Sequence, residues 1–275
     1  MHYESYWGLK LSPFENVPDP KFYFPSPKHE EGLHRLLYGV EARKGAILLT
    51  GEIGCGKTTL SRQFIQHLAQ ERYDTALIAN PSIDAQEFLG EVLYQLGMAS
   101  NGSKLDRLHR LNEHLLDNLR QGKDTIIIVD EAQAITDDTV FEELRLLLNF
   151  QLNDRFLLTL ILLGQPELNE RLNALPQFAQ RVAIRFHLPA FDLQETTRYI
   201  EFRLKTAGAD ARPIFSSEAV DLIFKHSGGI PRNINTLSDL SLLTGCLERK
   251  AQIDVTIVTR VVADFRIGDR SGTAH

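Results

Sequence analysis

The chain is poor in cysteine: Cys55 and Cys246 are its only two among 275 residues, which excludes a disulfide scaffold. Cys55 lies inside a glycine-rich loop where a cross-link would obstruct an approaching ligand, so both are expected as reduced thiols. Long apolar runs are missing as well. Nothing approaches the roughly 18 uninterrupted apolar residues of a membrane helix, and Met1 to Lys10 lacks the basic patch and apolar core of a secretory leader. The expectation is a cytoplasmic chain with no direct membrane insertion. Nor is there an excess of base. The 30 Lys and Arg against 36 Asp and Glu give a formal net charge of -6, so no global field draws the chain to nucleic acid, and only a local basic patch would do so.

What is present is an ordinary globular composition, 43% hydrophobic and 24% charged, with length enough for a large domain and a smaller one. Pro13, Pro18, Pro20, Pro25 and Pro27 forbid a long helix near the start. Residues 1–27 are therefore expected as an extended aromatic and proline-rich arm wrapped over the body. From 28 to 189 helices and strands alternate. Leu33, Leu36, Leu37 and Val40 recur at helical spacing between Lys28 and Arg43. Ala46–Thr50, Thr75–Ala79, Thr125–Val129, Phe156–Leu163 and Val182–Leu188 read as strands, with a helix over Thr58–Gln70 and further helices up to about Arg120. The runs at 125–129 and 156–163 are apolar on both faces, as strands buried between helical layers in a parallel sheet must be. The predicted fold is α/β, with a parallel five-stranded sheet.

Beyond Pro189 only helices are predicted: Leu193–Ala207, Ser217–Lys225 capped by Ser216 or Ser217, Arg232–Glu248 and Val255–Phe265. They form a separate all-helical domain over 190–267, with 268–275 a fraying tail.

The segment Gly51-Glu52-Ile53-Gly54-Cys55-Gly56-Lys57-Thr58 fits GxxxxGK[ST] at every fixed position and lies between a strand and a helix, where its mechanism needs it. Glycines turn backbone N–H groups inward as an anion nest, and the following helix adds its positive end. Lys57 reaches the β and γ phosphates of ATP and the Thr58 hydroxyl binds Mg2+. Thr59 adjoins the loop as a further nucleotide-side residue, with packing in the helix its plainer reading. Downstream, Ile126-Ile127-Ile128-Val129 ends in Asp130-Glu131, which sets two carboxylates at the C-terminal edge of a buried strand, where ligands of such sheets bind. Asp130 is expected to hold Mg2+ through water, and Glu131 to orient and polarise the attacking water. Gln165, just after the fourth strand, is read either as a sensor of the γ phosphate or as a turn former. Arg181 stands just before the fifth strand and Arg185 within it. Either is a candidate arginine finger for a neighbouring subunit's nucleotide, surface salt bridging being the alternative. Arg232, in Gly228-Gly229-Ile230-Pro231-Arg232, starts a helix of the second domain and is placed to carry nucleotide state into movement of that domain.

With these residues in hand, the sequence resembles the AAA+ ATPases of the ExeA type, also called general secretion pathway protein A. The resemblance covers nearly the whole chain. It rests on the opening Tyr6-Trp7-Gly8-Leu9 with Pro13-Phe14, Pro18-Asp19-Pro20 and Phe22-Tyr23-Phe24, and on the first helix, His29 to Val40. It continues through Asp130-Glu131-Ala132-Gln133, Leu163-Gly164-Gln165-Pro166-Glu167-Leu168, Gln180-Arg181-Val182, Phe186-His187-Leu188 and Gly228 to Asn235.

The resemblance implies sensor 1 at Gln165, sensor 2 at Arg232, a helical lid after Pro189, and Arg181 as first choice for the finger. It also implies an ATP-dependent homo-oligomer, a hexameric ring among the arrangements open to it. The implied work is the building or operation of a cell-envelope machine for secretion, pilus assembly or polysaccharide export, alongside an inner-membrane partner. ExeA proteins continue into a membrane span and a peptidoglycan-binding periplasmic region, whereas this sequence stops at His275 as a short form or a fragment. Short relatives are associated with pilus biogenesis, as in the MshM type, and with exosortase-linked export. The same core resembles DNA-binding transposition regulators of the TnsC and TniB type, which makes DNA the alternative partner.

Overall fold

The computed structural model describes residues 3–17, 19–210 and 212–270. Along the chain run α1 (Glu4–Trp7), a 3-10 turn (Pro20–Phe22), α2 (Pro27–Glu41), β1 (Ala46–Gly51), α3 (Lys57–His67), β2 (Tyr73–Ile78), α4 (Ala85–Gln95), α5 (Lys104–Arg120) and β3 (Asp124–Val129). A 3-10 turn (Ala132–Ala134), α6 (Asp138–Leu147), β4 (Leu158–Gly164), α7 (Pro166–Asn173), α8 (Pro176–Ala179) and β5 (Val182–Leu188) follow, and then α9 (Leu193–Thr206), α10 (Ser217–Ser227), α11 (Pro231–Leu247) and α12 (Val255–Arg270). They divide into two compact units. A sheet unit comprises Pro27–Glu52 and Lys57–Leu188, and a helical unit comprises Met1–Ser26, Ile53–Gly56 and Pro189–His275.

In the sheet unit the five strands stand in the order β2-β3-β4-β1-β5, all neighbours parallel. Every residue of β1 and β4 is buried, as is all of β3 after its first residue, so these strands are sandwiched on both faces, as their uninterrupted apolar sequences require. Pairing of Thr50 with Gly164, and of Val129 with Leu162, brings the C-terminal ends of β1, β3 and β4 to one edge. Residues 51, 130 and 165 leave the sheet there.

Several element ends differ from the sequence expectation in this unit: β2 begins at Tyr73 and α3 ends at His67. The fourth strand begins at Leu158, because Phe156 is taken up in an isolated antiparallel bridge to Gln151. Three helices, α6, α7 and α8, fill the stretch between Glu131 and Val182 where the sequence reading named none. The signal for α6 was present: Asp137 accepts from the amide of Thr139 as N-cap, and Val140, Phe141, Leu144 and Leu147 are buried at helical spacing.

The helical unit has its own core, in which Trp7, Phe14 and Phe22 of the arm lie with Tyr199, Ile223, Leu237 and Val258. Trp7 is 2% exposed, and its Nε1–H donates to the carbonyl of Leu242 at 2.9 Å. Trp7, Phe14 and Phe22 of the arm thus help to fill the interior of the helical unit, whereas Tyr6 is exposed. The arm is not uniformly extended, since α1 is a single helical turn closed by Gly8 in the left-handed conformation. Ser216, the first of the two candidate caps, accepts from the amide of Ala219 at the start of α10. Gly268–Arg270, expected in the tail, belong to α12, which continues through Arg270; residues 271–275, on which the rest of that expectation falls, lie, like Pro18, outside the described residues. Among the described residues no helix is long and apolar enough to cross a membrane.

Candidate active site

The loop Gly51–Gly56 joins the buried end of β1 to the first turn of α3, which starts at Lys57. Gly54 and Gly56 have φ of 84° and 99°, the left-handed region that glycine enters without steric cost. At Gly54 a side chain is also excluded by space: an added Cβ would lie 2.6 Å from the Cβ of Arg232. Backbone amides so turned, at the positive end of a helix, form a cradle for an anion. Lys57 is 5% exposed. Its Nζ donates to the carbonyl oxygens of Gly51 at 2.8 Å and Glu52 at 3.0 Å, so a buried ammonium is held at the cradle's edge by the loop itself.

The second half of the site follows β3. Asp130 is 5% exposed, and its Oδ2 accepts from the Thr58 hydroxyl at 2.8 Å while its Oδ1 accepts from the amide of Glu131 at 2.9 Å. Burial pushes its carboxyl above the usual carboxylate range, against these two hydrogen bonds, which favour the charged form. A hydroxyl and a carboxylate converging in this way are hard oxygen donors that fit Mg2+, which takes few protein ligands and keeps several waters.

Glu131 stands in the left-handed conformation, φ 51° and ψ 37°, which costs a non-glycine residue about 1 kcal/mol. The carbonyl of Glu131 accepts from the amide of Ala134 at 2.8 Å, which closes the turn. Gln133 donates from Nε2 to the Glu131 carboxylate, and its Oε1 accepts from the backbone amide of Gln165 at 3.1 Å. In the sequence Gln133 stands only as part of the Asp130-Glu131-Ala132-Gln133 signature, with no role attached to it. Its link to Gln165 depends on β3 and β4 being neighbours, which spacing along the chain does not reveal.

Of the remaining candidates, Gln165 stands at the start of α7 with no capping bond from its side chain. Thr59 is half-buried in the first turn of α3. Arg181 and Arg185 are engaged elsewhere: Arg181 Nη1 donates to the carbonyl of Leu148 at 3.0 Å, and Arg185 Nη1 to Asn169 Oδ1 at 2.5 Å. The register of β1 with β5 pairs Ala46 with Val182 and Gly51 with Leu188. Arg181 therefore sits a strand's length, about 20 Å at 3.3 Å per residue, from its own phosphate loop.

Arg232 is exposed in the first turn of α11. Its backbone amide donates to the carbonyl of Gly54 at 3.3 Å. What sets the start of α11 is the turn before it, where Gly229 accepts from the amide of Phe191 at 2.9 Å. A Cβ at Gly229, whose φ is 72°, would fall 1.9 Å from the Phe191 carbonyl oxygen, so only glycine fits.

Comparison with known proteins agrees with this geometry. The AAA domain family matches residues 40–172. General secretion pathway protein A of Aeromonas hydrophila is 37% identical over 271 residues, covering 96% of this chain and 49% of that protein. The chain thus spans about half the length of that relative. Among solved structures, Aeropyrum pernix ORC2 in ADPNP and ADP complexes superposes with a TM-score of 0.64 at 16% identity, covering 90% of this chain and 72% of that one. Drosophila ORC bound to DNA gives 0.70 at 16%, covering 92% and 64%. The RuvB Holliday junction branch migration motor of Thermotoga maritima gives 0.56 at 19%, covering 85% and 68%. At such identities these likenesses establish the P-loop AAA+ fold.

Proposed function

We propose that this chain, whose residues 40–172 match the AAA domain family and which is similar to general secretion pathway protein A along almost its whole length, is a Mg2+-dependent ATPase whose nucleotide cycle drives assembly of its own subunits within a cell-envelope machine. The observation that carries the reading is the closure of the phosphate loop onto the carboxylate of β3, with the Thr58 hydroxyl 2.8 Å from Asp130. That pair is what an ATPase needs in one place.

On this reading the loop amides and Lys57 take the β and γ phosphates, Lys57 exchanging its two loop carbonyls for phosphate oxygens. Thr58 and Asp130 would hold Mg2+, which when bound would supply neutralisation of the phosphate charge. Glu131 orients a water and accepts its proton as oxygen attacks the γ phosphorus, and the bond to the β-phosphate oxygen breaks to release ADP. Gln165 at the end of β4 contacts the γ phosphate, and Arg232 carries nucleotide state into the helical unit.

Arg181 lies at the wrong end of the sheet for its own nucleotide. As a finger it serves the neighbouring subunit's site, which makes turnover depend on assembly. The proposed setting is the cytoplasmic side of the inner membrane, reached through a protein partner.

The test is ATP hydrolysis by the purified chain against protein concentration, with and without duplex DNA, beside light scattering. Turnover rising more than linearly without DNA supports an assembling envelope ATPase. Assembly and turnover that appear only with DNA support the transposition-type alternative instead. Glu131→Gln is expected to retain nucleotide and lose turnover by about 100-fold or more; wild-type turnover in that variant removes the role given to Glu131.

A further inference from the structure

Gln133 bridges two segments that the proposed reaction uses separately. Its Nε2 donates to the Glu131 carboxylate just after β3, and its Oε1 accepts from the Gln165 amide just after β4, at 3.1 Å. An amide is the side chain for this place because it donates at one atom and accepts at another. The space is kept for it, since a Cβ at Gly164 would lie 2.8 Å from Gln133 Oε1.

The same two segments are tied a second time. Arg171 of α7 donates to the carbonyls of Ile135 and Thr136, and it pairs with Asp138 at 2.6 Å. Between these ties Glu131 keeps a left-handed backbone that its residue type does not favour; such a conformation persists where surrounding contacts over-determine it.

We infer that Gln133 is a positioning residue that sets the direction of the Glu131 carboxylate and couples it to the backbone at Gln165. A γ phosphate engaged at the end of β4 then shifts the Gln165 amide, the amide carries Gln133, and Gln133 swings the carboxylate. Glu131 takes its working position when the phosphate to be attacked is present. This rests on the ATPase reading above, and it adds a residue to which that reading assigns nothing.

Three measurements on the full chain test it: turnover, affinity for a fluorescent ATP analogue, and hydrogen exchange at the Gln165 amide in the absence of nucleotide. Gln133→Met keeps the length and loses both donor and acceptor. It is expected to lower kcat about 10-fold or more, to leave nucleotide affinity within about twofold, and to speed exchange at the Gln165 amide about 10-fold. Gln133→Glu keeps the acceptor and loses the donor, so it should lose turnover while Gln165 stays protected. In a Glu131→Gln background, Gln133→Met should lower turnover no further, because the group it positions is already disabled.

Retained turnover in Gln133→Met overturns the inference, as does a loss that multiplies with that of Glu131→Gln or one that comes with a matching loss of affinity. Full turnover in Glu131→Gln alone would instead overturn the catalytic reading, so the two failures are distinguishable.

Discussion

The two units are built by opposite means. In the sheet unit the core comes from contiguous aliphatic runs, Ile126–Val129 and Leu160–Leu163, essentially without exposure, and the polar side chains of Lys57, Thr58, Asp130 and Glu131 gather at one edge of the strands. In the helical unit, contiguous runs do not suffice. Its core is completed by aromatic residues from the far end of the chain, and its polar side chains work inside. Arg203 donates to the carbonyls of Pro13 and Glu15 and to the Tyr199 hydroxyl, and its guanidinium lies over the Phe22 ring at 4.7 Å. Tyr199 and Asn16 meet on Asn235. Polar groups gather at the strand ends in one unit and are consumed in fastening the arm in the other. The sheet unit thus carries the residues proposed for chemistry, and the helical unit takes part of its core from the arm.

The largest effect should come from emptying the arm's place in the helical core. Phe14 is 2% exposed and meets Phe215 edge to face, with ring centroids 6.2 Å apart. Phe14→Ala is expected to cost about 3–5 kcal/mol. Trp7 is the only tryptophan, so intrinsic fluorescence reports the helical unit alone. Its denaturation midpoint should fall sharply while amide exchange in β1 and β3 is unchanged. Equal loss of protection in those strands would show that the contrast drawn here is false and that the units unfold as one.

Next comes the reciprocal change in the sheet unit. Lys57→Ala removes the buried ammonium from the phosphate cradle and should weaken binding of an ATP analogue about 100-fold or more, equivalent to about 2.7 kcal/mol, with the Trp7 midpoint unmoved. A shift of that midpoint comparable to the one caused by Phe14→Ala would mean that the helical unit leans on the loop as heavily as on the arm.

This contrast also decides what could be read from the sequence. The strands were legible because their cores are local: Ile126 to Val129 reads as a doubly buried strand, and the glycine pattern before Lys57 marks the turn from β1 into α3. Asp130 and Glu131 were legible for the same reason, as carboxylates ending such a strand. The destination of Trp7 and Phe14 was not, because an apolar side chain announces burial and does not name its partner across more than two hundred residues, such as Leu242 for Trp7. Gln133 was hidden likewise, its meaning resting on a strand adjacency. The helix α6 is legible in the sequence, from its Asp137 cap and the helical spacing of Val140, Phe141, Leu144 and Leu147.

A smaller effect is expected at Arg203. Lysine keeps the charge and loses the fork that reaches two arm carbonyls and a hydroxyl together. Arg203→Lys should lower the Trp7 midpoint by the worth of the lost bonds, about 1–3 kcal/mol, and should speed proteolysis within residues 8–26. An unchanged cleavage rate would mean that the aromatic residues alone hold the arm.

The finest test lies at the arm's beginning, where the Tyr3 hydroxyl donates to Asp239 of α11. Burial pushes the Asp239 carboxyl above its usual range. The negative charge of Glu4 adds to this, and the bond from Tyr3 opposes it. Tyr3 itself is pushed upward, chiefly by burial, and keeps its proton throughout. A carboxyl whose pKa is higher folded than unfolded binds its proton more tightly in the folded chain. Acidification through that raised value therefore adds stability until the ordinary carboxylate range is passed. Asp239→Asn retains an acceptor for Tyr3 and has no proton to bind. At neutral pH it should match or slightly exceed the wild type in Trp7 midpoint, and the difference should shrink as the pH falls toward the ordinary carboxylate value. If the wild type instead loses ground to the variant on acidification, the bond from Tyr3 outweighs burial at Asp239. The arm would then be fastened there by charge, as the phosphate cradle is, and on this point the two units would be alike.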